Sequence, residues 1–190
     1  TEVCDVVGEL AVSVAALSAA RSETDWDRSA LRDRRTQMRE RLHGRPGRFG
    51  PCAALDVLRA HLPEDGIMSC DVGAHTHLIG QHWPTPAWGL QLMSNGWSAM
   101  GFGLPAAIAA KLTRPAQAVC AVVGDGGFLM TVGELAVAVR LQLKITVVVF
   151  TDNDLALIRI KQQKKHNPIY GTPIRAQGAI GGPNLFGVPV

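Results

Sequence analysis

Two apolar runs of strand length flank a helical pattern, and this spacing limits the fold more than any other feature of the chain. Residues 118–127 (AVCAVVGDGG) read as a buried strand ending in a glycine turn, 131–142 (TVGELAVAVRLQ) as a helix, and 145–150 (ITVVVF) as a second buried strand. Near-continuous β-branched runs suit strands covered on both faces, and strand, helix and strand in this order make a parallel pair joined by a crossover. The expected fold class is therefore α/β, a doubly wound parallel sheet with helices on both faces. In such a sheet, ligands bind outside the carboxyl ends of the strands, at a switch in strand order.

Other segments fit the same plan. Cys52 to Leu62 has helical periodicity, 66–73 (GIMSCDVG) is a short apolar strand, and 94–112 (SNGWSAMGFGLPAAIAAKL) is a glycine-rich turn running into a small-residue helix. Upstream, Leu10, Val14 and Leu17 lie at helical spacing, and the arginine-rich stretch from Asp25 to Leu42 suits an exposed helix. The breakers in 43–51 (HGRPGRFGP) set the expected boundary, with 1–48 as the end of a preceding domain plus a linker helix and 49–190 as the ligand-binding domain.

Bulk properties exclude several classes of function. The 190 residues are 47% hydrophobic and 18% charged, and the net charge of +3 stems largely from arginines between Arg21 and Arg59, so no surface-wide basic field points to nucleic acid. Cys4, Cys52, Cys70 and Cys120 form no CxxC or Cys/His cluster and read as reduced thiols. No apolar run approaches the roughly 20 residues that span a bilayer. The start lacks signal-peptide order, and the expected location is the cytoplasm.

The chemistry gathers at two strand ends, Gly124-Asp125-Gly126-Gly127 and Thr151-Asp152-Asn153-Asp154. Parallel strands bring Asp125 and Asp152 to one sheet edge, where two carboxylates can share a hard cation. Mg²⁺ takes six oxygens and usually completes its shell with phosphate and water. Gly126 and Gly127 open a helix whose free N–H groups favour an anion, and they let a phosphate approach the backbone. The same residues also suit a tight turn and a capped, solvated loop.

Three motifs in order resemble the thiamine diphosphate-dependent enzymes, and within them the acetolactate synthase branch. Asp125 and Asp152, 27 positions apart, match the GDG…NN signature, with Thr151-Asp152 in place of Asn-Asn. Ser94 to Ala107 resembles SGGLGTMGFGLPAA, and Asp71 to Thr76 (DVGAHT) resembles DVGQHQ, with Ala74 replacing a polar residue.

This resemblance implies thiamine diphosphate and Mg²⁺ as cofactors. The metal ligands would be the side chains of Asp125 and Asp152 and the backbone carbonyl of Asp154, with Asn153 the alternative one register away. The cofactor would be held by Gly73, His75, Thr76, Gly124, Gly126 and Gly127 at its diphosphate end. Ser98 and Met100 would hold its pyrimidine, with Met100 as a wedge that bends the cofactor into a V.

The implied reaction is 2-keto acid decarboxylation or carboligation. The glutamate that activates the cofactor sits, in this family, on a separate pyrimidine-binding domain, which this sequence does not contain. Glu134 reads as structural. The chain is therefore expected to be a fragment, its fold truncated at the C-terminus and inactive alone. Its expected partner is the pyrimidine-binding domain of the same enzyme or of a second chain, within a dimer or tetramer. A split decarboxylase subunit and a non-catalytic cofactor-binding remnant are the alternatives.

Overall fold

A computed structural model describes residues 7–19, 26–43 and 49–174. The chain divides into two compact units, Thr1–Met38 and Arg39–Val190. In the first unit, helix α1 (Leu10–Ala19) buries none of its residues, although its apolar side chains have the spacing that predicts a helix. Helix α2 (Arg28–His43) starts in the first unit, where the Asp27 carboxylate accepts from the N–H of Ser29 (2.8 Å) and of Ala30 (3.1 Å). That arrangement satisfies N–H groups that have no partner in the first helical turn.

The second unit is a four-stranded, all-parallel sheet in the order β2-β1-β3-β4. Its elements are α3 (Pro51–His61), β1 (Ile67–Cys70), α4 (Ala74–His82), β2 (Gln91–Met93), α5 (Gly103–Thr113), β3 (Val119–Gly124), α6 (Asp125–Thr131), α7 (Leu135–Arg140), β4 (Thr146–Phe150) and α8 (Ala156–Lys164).

The period of two along each strand decides which face each side chain supports. Met68, Cys70, Cys120 and Val122 pack with Leu55 of α3 and Ile79 of α4 on one face. Ile67, Val119, Ala121 and Val123 pack with Ala107 and Ala110 of α5 on the other. Leu104 and Ile108 extend this second layer to Ala138 of α7. Helices thus cover both faces, as the uninterrupted apolar strands require. Burial also pushes the thiols of Cys70 and Cys120 up, to about 12 and about 11, so both stay protonated.

Two local readings differ from the sequence expectation. The helix expected over 131–142 is shorter, α7 over Leu135–Arg140, and a 3₁₀ turn at Val132–Glu134 separates it from α6, because Thr131, Val132 and Gly133 are weak helix formers in succession. Gly126 and Gly127 stand in the first turn of α6, as the sequence predicts, and Gly124 closes β3. Residues 74–82, which carry no clear apolar period, form α4.

Candidate active site

Strand order locates the site. The chain moves outward from β1 to β2, returns past β1 to β3, and continues to β4, so the order reverses between β1 and β3. Outside the carboxyl ends of these strands lies a cavity of about 510 Å³. Gly73, His75, Met100, the run Gly124 to Gly127, Asp152 and Asp154 all line it. Thr76 and Ser98 do not.

Asp125 ties the strand ends together. One carboxylate oxygen accepts from its neighbour Gly126 N (2.8 Å), and the other accepts from Asp152 N (3.2 Å) and Asn153 N (2.8 Å). The parallel register, with Gly124 beside Phe150, makes this reach possible. Asp152 Oδ1 accepts from Asp154 N (3.2 Å). Asp154 Oδ2 forms an ion pair with Arg159 Nε at 2.5 Å, while Oδ1 is buried without a hydrogen-bond partner. The described residues contain no group of three or more His, Cys, Asp or Glu arranged to hold a metal. A cation here would rest on two carboxylates, backbone carbonyl and oxygens of its ligand, a set that suits Mg²⁺ better than zinc.

The floor of the cavity is crowded at its glycines. A Cβ on Gly126 would meet Leu155 Cδ2 at 2.7 Å and Met100 Cε at 3.1 Å, and one on Gly124 would meet His75 Cε1 at 3.1 Å. Beneath the floor lies Asp71, fully buried at the end of β1. Gly103 N donates to its Oδ1 (3.3 Å), while its Oδ2 faces Gly127 so closely that a Cβ there would lie 1.7 Å away. Asp71 is thus a scaffold between two glycines, a role that its place in a DVG motif does not disclose.

His75 is buried against Phe150, edge to face at 6.1 Å between ring centres, and its Nε2 has no hydrogen-bond partner. Burial pushes this imidazole below its ordinary range, against the opposing pull of the Asp71, Asp125 and Asp152 carboxylates. A neutral ring can present a donor or an acceptor to a ligand. The Thr76 hydroxyl is committed to the backbone: it accepts from Gly73 N (2.9 Å) and donates to Asp71 O (2.6 Å), fixing the turn into α4. Ser98 is exposed with a left-handed backbone (φ 48°), and its hydroxyl donates to Ser94 O at 3.3 Å. Leu155, Leu157 and Ile158, from the stretch that follows the Asp152–Asp154 loop and that the sequence places beside a substrate channel, give the cavity an apolar wall.

Comparison with known proteins shows the family. Residues 71–180 match the model of the thiamine pyrophosphate enzyme, C-terminal TPP binding domain. The chain therefore belongs to the thiamine pyrophosphate enzyme family. It is 39% identical over 125 residues to YdaP of Bacillus subtilis, a protein named as containing thiamine pyrophosphate, covering 66% of this chain and 22% of that one. It is 32% identical over 158 residues to the large subunit of acetolactate synthase isozyme 2 of Escherichia coli, covering 82% and 28%. Pyruvate oxidase of Lactiplantibacillus plantarum is 38% identical over 117 residues, covering 60% and 19%. The chain thus spans between 19% and 28% of these relatives' length. Among the described residues, no helix is long and apolar enough to cross a membrane.

Proposed function

We propose that this chain supplies the diphosphate- and cation-binding part of an acetolactate synthase-like enzyme that decarboxylates or joins 2-keto acids. The observation that carries this reading is the Asp125 carboxylate, which bonds the backbone of Asp152 and Asn153 beside a floor of glycines where an added Cβ would crowd His75, Leu155 and Met100. Such a floor suits a phosphate group pressed against the backbone. The carboxylates of Asp125 and Asp152 and the carbonyl of Asp154 would hold Mg²⁺. Gly73, Gly124, Gly126 and Gly127 would admit the diphosphate, and the unpartnered His75 Nε2 would meet it.

When bound, thiamine diphosphate supplies a carbon nucleophile and an electron sink for the 2-keto acid, and the protein supplies orientation and a dry pocket. Met100 lies over the floor beside Gly126, a position that suits a wedge against the bent cofactor. The apolar wall of Leu155, Leu157 and Ile158 would keep water from the reacting end. Dimeric or tetrameric assembly belongs to the same proposal.

Cofactor binding by the folded chain is expected to require a divalent cation, because Asp125 and Asp152 otherwise face a diphosphate of their own sign. Calorimetry with Mg²⁺ and with excess chelator checks this, and equal affinity in both would remove the metal assignment. The chain alone is expected to release no CO₂ from pyruvate or another 2-keto acid, since binding energy that does not act in the transition state adds no rate. Turnover should appear when a separately expressed pyrimidine-binding domain is added. Robust turnover without that domain would mean that a residue of this chain activates the cofactor.

A further inference from the structure

Beyond α8 the chain turns back along the loop that carries Asp152 and Asp154. The helix ends through a left-handed His166 (φ 54°), with Asn167 N donating to Gln162 O at 2.9 Å. Residues 172–174 then run antiparallel to 153–155. Leu155 N donates to Thr172 O (2.8 Å), Ile174 N donates to Asn153 O (2.9 Å), and Asp154 and Pro173 are bridge partners. Thr172 is fully buried, and Ile174 reaches the glycine floor, 3.5 Å from where a Cβ of Gly126 would stand.

One side chain fastens this return. The Gln162 amide pairs with both backbone groups of Tyr170, Nε2 donating to the carbonyl (3.0 Å) and Oε1 accepting from the N–H (3.2 Å). The amide thereby imitates a β-bridge. Gln162 does not line the cavity.

The loop needs outside support. Residues 151–153 are exposed, and Asn153 is left-handed (φ 58°), a conformation that costs any residue with a Cβ. Both backbone groups of Asn153 are bonded to other segments, the N–H to Asp125 and the C=O to Ile174. A loop already ordered by such bonds spares its ligand the entropy of ordering it.

We propose that residues 170–174 form a strap that sets the conformation of the Asp152–Leu155 loop, with Gln162 as its clasp and a positioning residue for cation and diphosphate binding. The strap itself is a property of the fold, and its coupling to binding rests on the function proposed above.

The test compares the full chain with its Gln162→Ala variant, using two measurements. The first is amide hydrogen exchange without ligand, where the variant should exchange faster at Leu155 and Ile174 while β1 and β3 keep their protection. The second is calorimetric binding of thiamine diphosphate over a Mg²⁺ series. Affinity should fall by about three- to tenfold, the loss expected of two exposed neutral hydrogen bonds, with the Mg²⁺ concentration for half-saturation rising in step. Unchanged exchange at both amides overturns the strap. Faster exchange with unchanged binding and Mg²⁺ dependence overturns its role in positioning. If the parent chain shows no Mg²⁺-dependent binding, the diphosphate reading falls and the coupling falls with it, while exchange still decides whether the strap exists. A variant that loses protection in β1 and β3 has unfolded, and Gln162→Glu, which keeps the length of the side chain but sets a carboxylate oxygen against the Tyr170 carbonyl, should then give the same local pattern. Failure of that pattern also overturns the proposal.

Discussion

Gly127→Ala is expected to destabilise the protein by at least ~3 kcal/mol, the upper part of the range for overpacking a filled interior. The added methyl would stand 1.7 Å from Asp71 Oδ2, where ordinary contact begins near 3.4 Å. Asp71 has little freedom to retreat. It is fully buried, its Oδ1 accepts from Gly103 N, and Gly103 in turn leaves no room on the Asp71 backbone side, with a Cβ there 2.9 Å from Asp71 N. Alanine gains up to about 1 kcal/mol over glycine inside a helix, and the collision outweighs this gain.

For a chain of this size the expected cost corresponds to a fall in Tm of about 6–12 °C. Gly133→Ala makes the contrast, because nothing lies within 4 Å of its Cβ and the change should be neutral or slightly stabilising. Asp71→Ala removes the colliding oxygen but leaves Gly103 N–H unpaired, itself a cost of about 1–3 kcal/mol. The double variant should nevertheless be more stable than the sum of the two losses by at least ~1 kcal/mol. Strict additivity in thermal or denaturant unfolding would show that Asp71 does not constrain Gly127.

These residues also mark where sequence reading succeeds and where it stops. β3, the following helical segment and β4 are legible because long β-branched runs are hard to place except as covered strands, and because a parallel pair needs a crossover. Their order alone brings Asp125 and Asp152 to one edge, and Asp125 in fact bonds the Asp152 backbone. β2, only three residues long, is too short to carry a period. α4 is hidden by a polar sequence whose helical start depends on the Thr76 hydroxyl closing the turn at Gly73. The scaffold role of Asp71 depends on Gly103 and Gly127, which approach it from two other elements, and no local pattern encodes that meeting. The antiparallel return at Thr172 is equally non-local. The resemblance to a known family supplied the cofactor, which neither periodicity nor composition contains.

Asp125→Ala is expected to weaken Mg²⁺-dependent binding of thiamine diphosphate by on the order of a hundredfold or more, with a much smaller effect on stability. The two effects separate because the side chain has two roles. As an acceptor it holds Gly126, Asp152 and Asn153 N–H groups, and the latter two lie on an exposed loop where water can replace it, so the stability cost is about 1 kcal/mol. As a charge it is, among the described residues, one of two cavity-lining carboxylates without a basic partner, since Asp154 is paired with Arg159. On the proposed function, removing it takes away one of the two carboxylates offered to the cation and loosens the loop that carries the second.

Asp125→Asn should be nearly as damaging to binding, because the charge is gone even though the shape remains. The choice of second ligand is tested alongside. Asp152→Ala should approach the loss caused by Asp125→Ala, whereas Asn153→Gly, which keeps the left-handed backbone (φ 58°) and deletes only the side chain, should stay within a few fold of the parent. Calorimetric titration of the four variants at fixed Mg²⁺ decides the matter, and a loss at Asn153→Gly equal to that at Asp152→Ala would move the metal ligand one residue along the loop.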